Sequence, residues 1–251
     1  MRPLLITLSL LVAAPAIASD SLVESFFQAN QAYENGKHTT AIELYQRLAD
    51  SPEISNAGRA QVHYNLGNAH LRAGQLGPAI AAYLRSYGEN PTDQDLLANL
   101  TFARSQTQDD IQATPVNPIV KTLFFWHFSL GKSQLLGWLG LASGLLWGLL
   151  IVQLYWRHDM LRWARNLALL MFIALGSSAL LREISPTRTA VVQPAEASVY
   201  SGQDSRSVVR FKLHEGTEMS VVQLDGEWVK VSLPDQKQGW LPAAAVEVVE
   251  L

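Results

Sequence analysis

Two apolar stretches joined by a short basic turn constrain this chain more than any other feature of its 251 residues. Residues 135–155 carry no charge, and a helix of roughly 20 apolar residues crosses the ~30 Å hydrocarbon core of a bilayer. The second stretch is charge-free over 166–181, which is short for a span unless Arg165 reaches back to the headgroups with its charged end. We therefore expect two membrane spans, 133–156 and 163–182, around a turn at 157–162. A buried helical pair in a soluble core is the alternative, although a chain of this size leaves little protein to cover it. Arg157, Arg162 and Arg165 place the turn on the cytoplasmic side, where basic residues of short loops stay. Lys121 and Lys132 before the first span, and Arg182 and Arg188 after the second, pull against that rule.

The amino terminus bears on the same question. Residues 1–18 combine Arg2, an apolar run over 4–14 and small residues at Ala16 and Ala18, the pattern of a secretory signal peptide cleaved before Ser19. An uncleaved anchor is the other reading, and either one exports the segment that begins near Ser19. The formal net charge of −3 gives no footprint for nucleic acid, and the absence of cysteine removes thiol catalysis, disulfides and thiolate metal sites.

Residues 19–108 show helical periodicity with a repeat near 34 residues. In the best copy, 60–91, Leu66, Gly67, His70, Gly74, Ala79, Tyr83, Ser86 and Pro91 alternate large, small, turn and helix-ending roles. Ala29, Gly36, Ala41 and Tyr45 fill matching offsets upstream, with about four extra residues before the second copy, and Asn99 follows Asn65 at an interval of 34. This pattern resembles the tetratricopeptide repeat family, and it supplies two and a half units where about three are usual for a stable stack. In that family the first helices line a concave groove, so Asn30, Asn65 and Asn99 become candidate peptide-binding residues, their carboxamides able to donate and accept along an extended backbone. Capping or packing within the groove is the alternative role. The subclass that clamps carboxylates uses basic residues where this chain has Phe26, Asp95 and Asn99, so no carboxylate capture is expected.

Residues 109–132 read as a linker with Pro115 and Pro118, then an aromatic segment, 119–131, suited to lying flat at the membrane interface. A last helix packed under the repeats is the alternative. In the first span Gly140, Gly144 and Gly148, with Gly137 nearby, form a smooth strip for helix packing, against Ala174 and Ser178 of the second span or against another subunit.

Beyond Pro186 the period switches to two, with apolar alternation around Val191, Val199, Phe211, Val221, Val229, Leu241 and Val248 and turns at Gly202, Gly216, Gly226 and Pro234. Five or six strands over residues 183–251 imply a small barrel. The segment 213–249, with its GEWVKV and GWLP strings, resembles the bacterial SH3-like family. Trp228 is expected to be exposed and available to a peptide, Trp240 to be packed.

Histidines 38, 63, 70, 127, 158 and 214 are scattered, and the chain contains no zinc-protease helix, phosphate loop or nucleophile elbow. No enzymatic activity, cofactor or metal site is expected. The expected fold class is a multi-domain membrane protein: an all-α tetratricopeptide repeat solenoid, a two-helix transmembrane hairpin and a small all-β SH3-like barrel. This order resembles the BatE-type proteins of the Bat aerotolerance operon. The resemblance implies a non-enzymatic scaffold of the bacterial inner membrane, with both modules periplasmic and von Willebrand A domain membrane proteins as partners. A sensor that grips peptidoglycan through the SH3-like module is the second reading.

Overall fold

The computed structural model describes residues 16–109, 111 and 117–250. The expected leader therefore lies outside the described residues up to position 15, as does most of the expected linker between 110 and 116.

Five helices form the repeat stack: α1 (Ala16–Glu34), α2 (His38–Ala49), α3 (Asn56–Arg72), α4 (Leu76–Glu89) and α5 (Gln94–Ser105). The α1–α2 and α3–α4 pairs each turn through a glycine with positive φ, Gly36 at 72° and Gly74 at 76°, a region that side chains with a Cβ avoid. Ser55 caps α3 by accepting from Gly58 N–H, and Asp93 caps α5 by accepting from Asp95 and Leu96 N–H. Small residues at the crossings (Ala29, Ala41, Gly67, Ala69, Ala79) let the helices approach, and Tyr45 and Tyr83, both buried, fill the space between them.

Two short helices, α6 (Pro118–Leu123) and α7 (Phe125–Ser129), lead into a helical hairpin of α8 (Lys132–Tyr155) and α9 (Asp159–Ile184). At 24 and 26 residues, these helices are long and apolar enough to cross a membrane. Only 11% and 17% of their most apolar windows are buried, unlike helices in a soluble core, and Trp138, Trp147 and Leu154 stand exposed. Leu135, Ala142 and Leu175 make the hairpin's contact, with Leu139 and Phe172 beside them. A Cβ built at Gly137, Gly140, Gly144 or Gly148 meets no atom within 4 Å, so the glycine strip faces away from α9. Ser178 is instead taken by a hydrogen bond to His127 Nδ1 at 2.5 Å. His158 caps α9, and Gln153 ties the turn by donating to Leu161 O at 2.6 Å and accepting from Arg165 at 3.2 Å.

The carboxy-terminal part is one antiparallel sheet of seven strands where five or six were expected: β1 (Arg188–Val192), β2 (Glu196–Tyr200), β3 (Val209–His214), β4 (Glu218–Asp225), β5 (Trp228–Ser232), β6 (Gln238–Pro242) and β7 (Val246–Glu250). Their order is β3-β2-β6-β5-β4-β1-β7. Val199, Leu213, Met219, Val229, Val231 and Leu241 alternate inward to form its core.

The sequence pattern implies separate modules for the repeats and the sheet, but the two share a core. Val191 of β1 and Val249 of β7 pack with Ile80, Tyr83, Leu84, Leu96 and Leu100. Gly77 is pressed against the sheet, where a Cβ would lie 2.5 Å from Val192 O, and its N–H donates to Glu215 at 2.9 Å. Arg85 pairs with Glu247, and Arg104 forks onto both oxygens of Glu218 at 2.6 and 2.8 Å. Asp109 accepts from His214 N–H (2.8 Å) and Thr217 Oγ1 (2.5 Å), and its other oxygen meets His214 Nδ1 at 2.8 Å. The far end of α4 meets the hairpin, where Gly131 abuts Glu89 O and Ser133 donates to Glu89 at 2.6 Å. The half-unit α5 therefore has a neighbour: the sheet covers what a third repeat would otherwise cover.

Candidate functional site

One helical face of α3 carries Gln61, Tyr64, Asn65, Asn68 and Arg72, spaced at three and four residues so that they line up along the helix. Asn30 and Tyr33 of α1 and Asn99 and Phe102 of α5 face it across the stack. The carboxamides form a ladder. Asn30 Oδ1 accepts from Tyr45 O–H at 2.6 Å and from Asn65 Nδ2 at 3.3 Å. One repeat on, Asn68 Oδ1 accepts from Tyr83 O–H at 2.7 Å and from Asn99 Nδ2 at 2.9 Å, and Asn99 also donates to Tyr64 at 3.0 Å. Each oxygen thus binds a tyrosine of its own repeat and an asparagine of the next. Burial pushes both phenols up, Tyr45 to about 12, so they stay protonated donors.

The three expected asparagines are all in this row, and all three make hydrogen bonds within the stack. Asn68 is the residue that sequence reasoning missed. The interval from Tyr45 to Tyr83, shared by Gly36 and Gly74 and by Ala41 and Ala79, makes Asn68 the counterpart of Asn30. Following that offset, rather than the 34-residue interval between Asn65 and Asn99, identifies it.

Beside the ladder opens a cleft of about 820 Å³, whose walls include Tyr33, Tyr64, Asn68, Arg72, Asn99 and Phe102. Phe102 is 56% exposed at its rim. Glu215, from the turn between β3 and β4, closes one side, so the sheet contributes to the groove. Arg72 supplies a cation that was not anticipated at the clamp positions. Among the described residues no hydrogen bond is formed by Nδ2 of Asn30 or Asn68, and both side chains line a smaller recess of about 80 Å³ continuous with the row. Donors facing a groove with aromatic walls suit the carbonyl groups of an extended chain.

Trp228 lies elsewhere, on the outer face of the sheet. It is half-buried, with Tyr200 edge-on at 5.8 Å. Trp240, expected to be packed, is equally half-buried on that face, because Leu241 and Gly239 take the inward positions of β6. It stands opposite Lys230, whose Nζ sits 5.9 Å from its ring. The glycines of α8 are remote from both surfaces. Among the described residues no group of three or more His, Asp or Glu is placed to hold a metal ion.

Residues 28–94 match the family model of the tetratricopeptide repeat, which spans α2 to α4 whole and the part of α1 that carries Asn30. No curated protein matches the chain to a significant degree. Tyr33, Tyr64, Asn68 and Arg72 of the cleft fall within that match, which suggests a protein–protein interaction module, whereas Asn99 and Phe102 of α5 and Glu215 of the sheet lie beyond it.

Proposed function

We propose that this chain is a non-enzymatic membrane adaptor which holds an extended segment of a partner protein in the cleft between α1, α3 and α5. The observation that carries the reading is Asn68, whose oxygen is committed to Tyr83 and Asn99 while its Nδ2 makes no hydrogen bond among the described residues and its side chain lines a cleft with aromatic walls. The hairpin is the anchor, crossing the bacterial inner membrane twice with its basic turn in the cytoplasm. Contact between the repeats and the sheet supports one side of the membrane for both, and the order of modules favours a BatE-type subunit working with von Willebrand A domain membrane proteins.

Two measurements test this. A photo-crosslinking residue at Phe102 in the full chain should capture a von Willebrand A domain partner, and adding Asn68→Ala should abolish the capture. Equal capture from a crosslinker at Val222, on the exposed sheet, would remove the groove from the account. The chain has no cysteine, so single replacements report topology without background. Glu24→Cys and Ser205→Cys should react with an impermeant maleimide on intact cells, and His158→Cys should not.

The outer face of the sheet favours a second reading, attachment to peptidoglycan through Tyr200, Trp228 and Trp240. Because Val191 and Val249 are buried against α4, the test needs the full chain. Unchanged cell-wall sedimentation of Trp228→Ala would count against it.

A further inference from the structure

Where α7, the end of α4 and the end of α9 converge lies a second cleft, of about 470 Å³, lined among others by Tyr87, His127, Arg182, Ser185 and Thr187. Among the described residues no carboxylate lines it. Nor does Arg182 pair with an acid among them: its Nη2 donates to the backbone carbonyls of His127 and of Leu130, the latter at 2.9 Å, which fixes the guanidinium facing the cleft. Glu183, next in sequence, faces Lys132 at 3.9 Å, and Glu89 accepts from Ser133. Leu181, which lines the cleft, is exposed, as are Ile184 further along α9 and Phe124 and Phe125 at the start of α7. Arg182 comes directly after the apolar part of α9, the depth at which a spanning helix leaves the hydrocarbon for the headgroups. An arginine there ordinarily extends toward lipid phosphate as a flexible chain. Here it is held in place by two carbonyls, with hydroxyl groups beside it.

We propose that this cleft is a binding site for the phosphodiester headgroup of an anionic membrane lipid, with Arg182 as the cation and Ser185 and Thr187 as neutral donors. The inference rests on the hairpin spanning the membrane. The bound lipid would fix the repeat stack against the bilayer surface, since α4 lines one wall and α9 the other.

Native mass spectrometry of the full chain in detergent, with phosphatidylglycerol or phosphatidylcholine added, tests the site. The wild type should retain phosphatidylglycerol about fivefold more than phosphatidylcholine, the weight of one basic residue at a charged membrane surface. Arg182→Gln should bring the two to equality. Thr187→Glu, which leaves both carbonyl bonds intact and places a negative charge at the exposed mouth, should do the same in a chain that melts at the wild-type temperature. Millimolar inorganic phosphate should not displace the lipid, and displacement would assign the cleft to free phosphate instead. Retention of phosphatidylglycerol by both variants, or equal retention of both lipids by the wild type, overturns the site while leaving the anchor in place. Release of the wild type from membranes by alkaline carbonate would overturn the anchor and the site together.

Discussion

A methyl group added at Gly67 would lie 2.5 Å from the ring of Tyr83, closer than carbon atoms pack. Gly67→Ala should therefore destabilise the stack, because an overpacked core costs about 1–3 kcal/mol, more than the helix propensity gained. A thermal melt in detergent reads it, and an unchanged midpoint would mean that Tyr83 has another place to go. Asn68→Ala removes the acceptor of Tyr83 and of Asn99 together, and should cost about 1–3 kcal/mol through those unmet donors. His63 gives a pH dependence. Burial first, then the charges of Arg85 and Arg59, push it down to about 4, and its Nδ1 has no hydrogen-bond partner. Between about pH 6.5 and 4 the unfolded chain takes up a proton that the folded chain refuses, so this contribution is whole above 6.5 and is lost as pH falls. At pH 5 the loss is about 2 kcal/mol. His63→Gln should flatten the pH dependence of the melt over that window, and an unaltered profile would place the sensitivity elsewhere.

At the scale of elements, what the sequence made legible was what local packing dictates. Gly36 and Gly74 mark turns that need positive φ, and Tyr45 and Tyr83 mark gaps between helices, so the repeats could be read from residue type and interval. Period-two alternation located every strand, although it could not count the ladder: β1 and β7, the first and last strands in sequence, pair with each other at one end of the sheet. Helix α4 held a signal that went unused. Ala79, Ile80, Ala81, Ala82, Tyr83 and Leu84 are all buried, and such a run cannot be covered by one neighbouring helix. Glycines at intervals of four in α8 suggested close packing, but spacing alone does not say which face meets the partner. Since a Cβ built on any of them meets no neighbour within 4 Å, Gly144→Leu should leave the hairpin intact, with the same helix content and the same resistance to carbonate extraction. A collapse of either would show that the strip is packed after all.

For the whole molecule, the consequence is that the repeats and the sheet are coupled by construction rather than by tethering to one anchor. A tether would raise the local concentration of one ligand near the other's site. A shared core does more, because Glu215 of the sheet turn forms a wall of the cleft in the repeats and disturbance of one side reaches the other. Asp109 adds to the joint. Burial works against its charge, but the bonds from Thr217 and His214 outweigh it and hold its carboxyl below the usual range. That contribution is whole above the ordinary carboxylate value and is lost as pH falls through the lower folded one. Coupling predicts a definite pattern of hydrogen exchange. Val191→Ala takes two methyl groups from a position with no solvent exposure, at a cost of about 2 kcal/mol. If β1 and α4 open as one unit, protection should fall by the same amount in α3, α4, β1 and β7. Loss confined to the strands would mean that the sheet opens without the repeats, and that the cleft keeps its shape when the wall bearing Glu215 leaves.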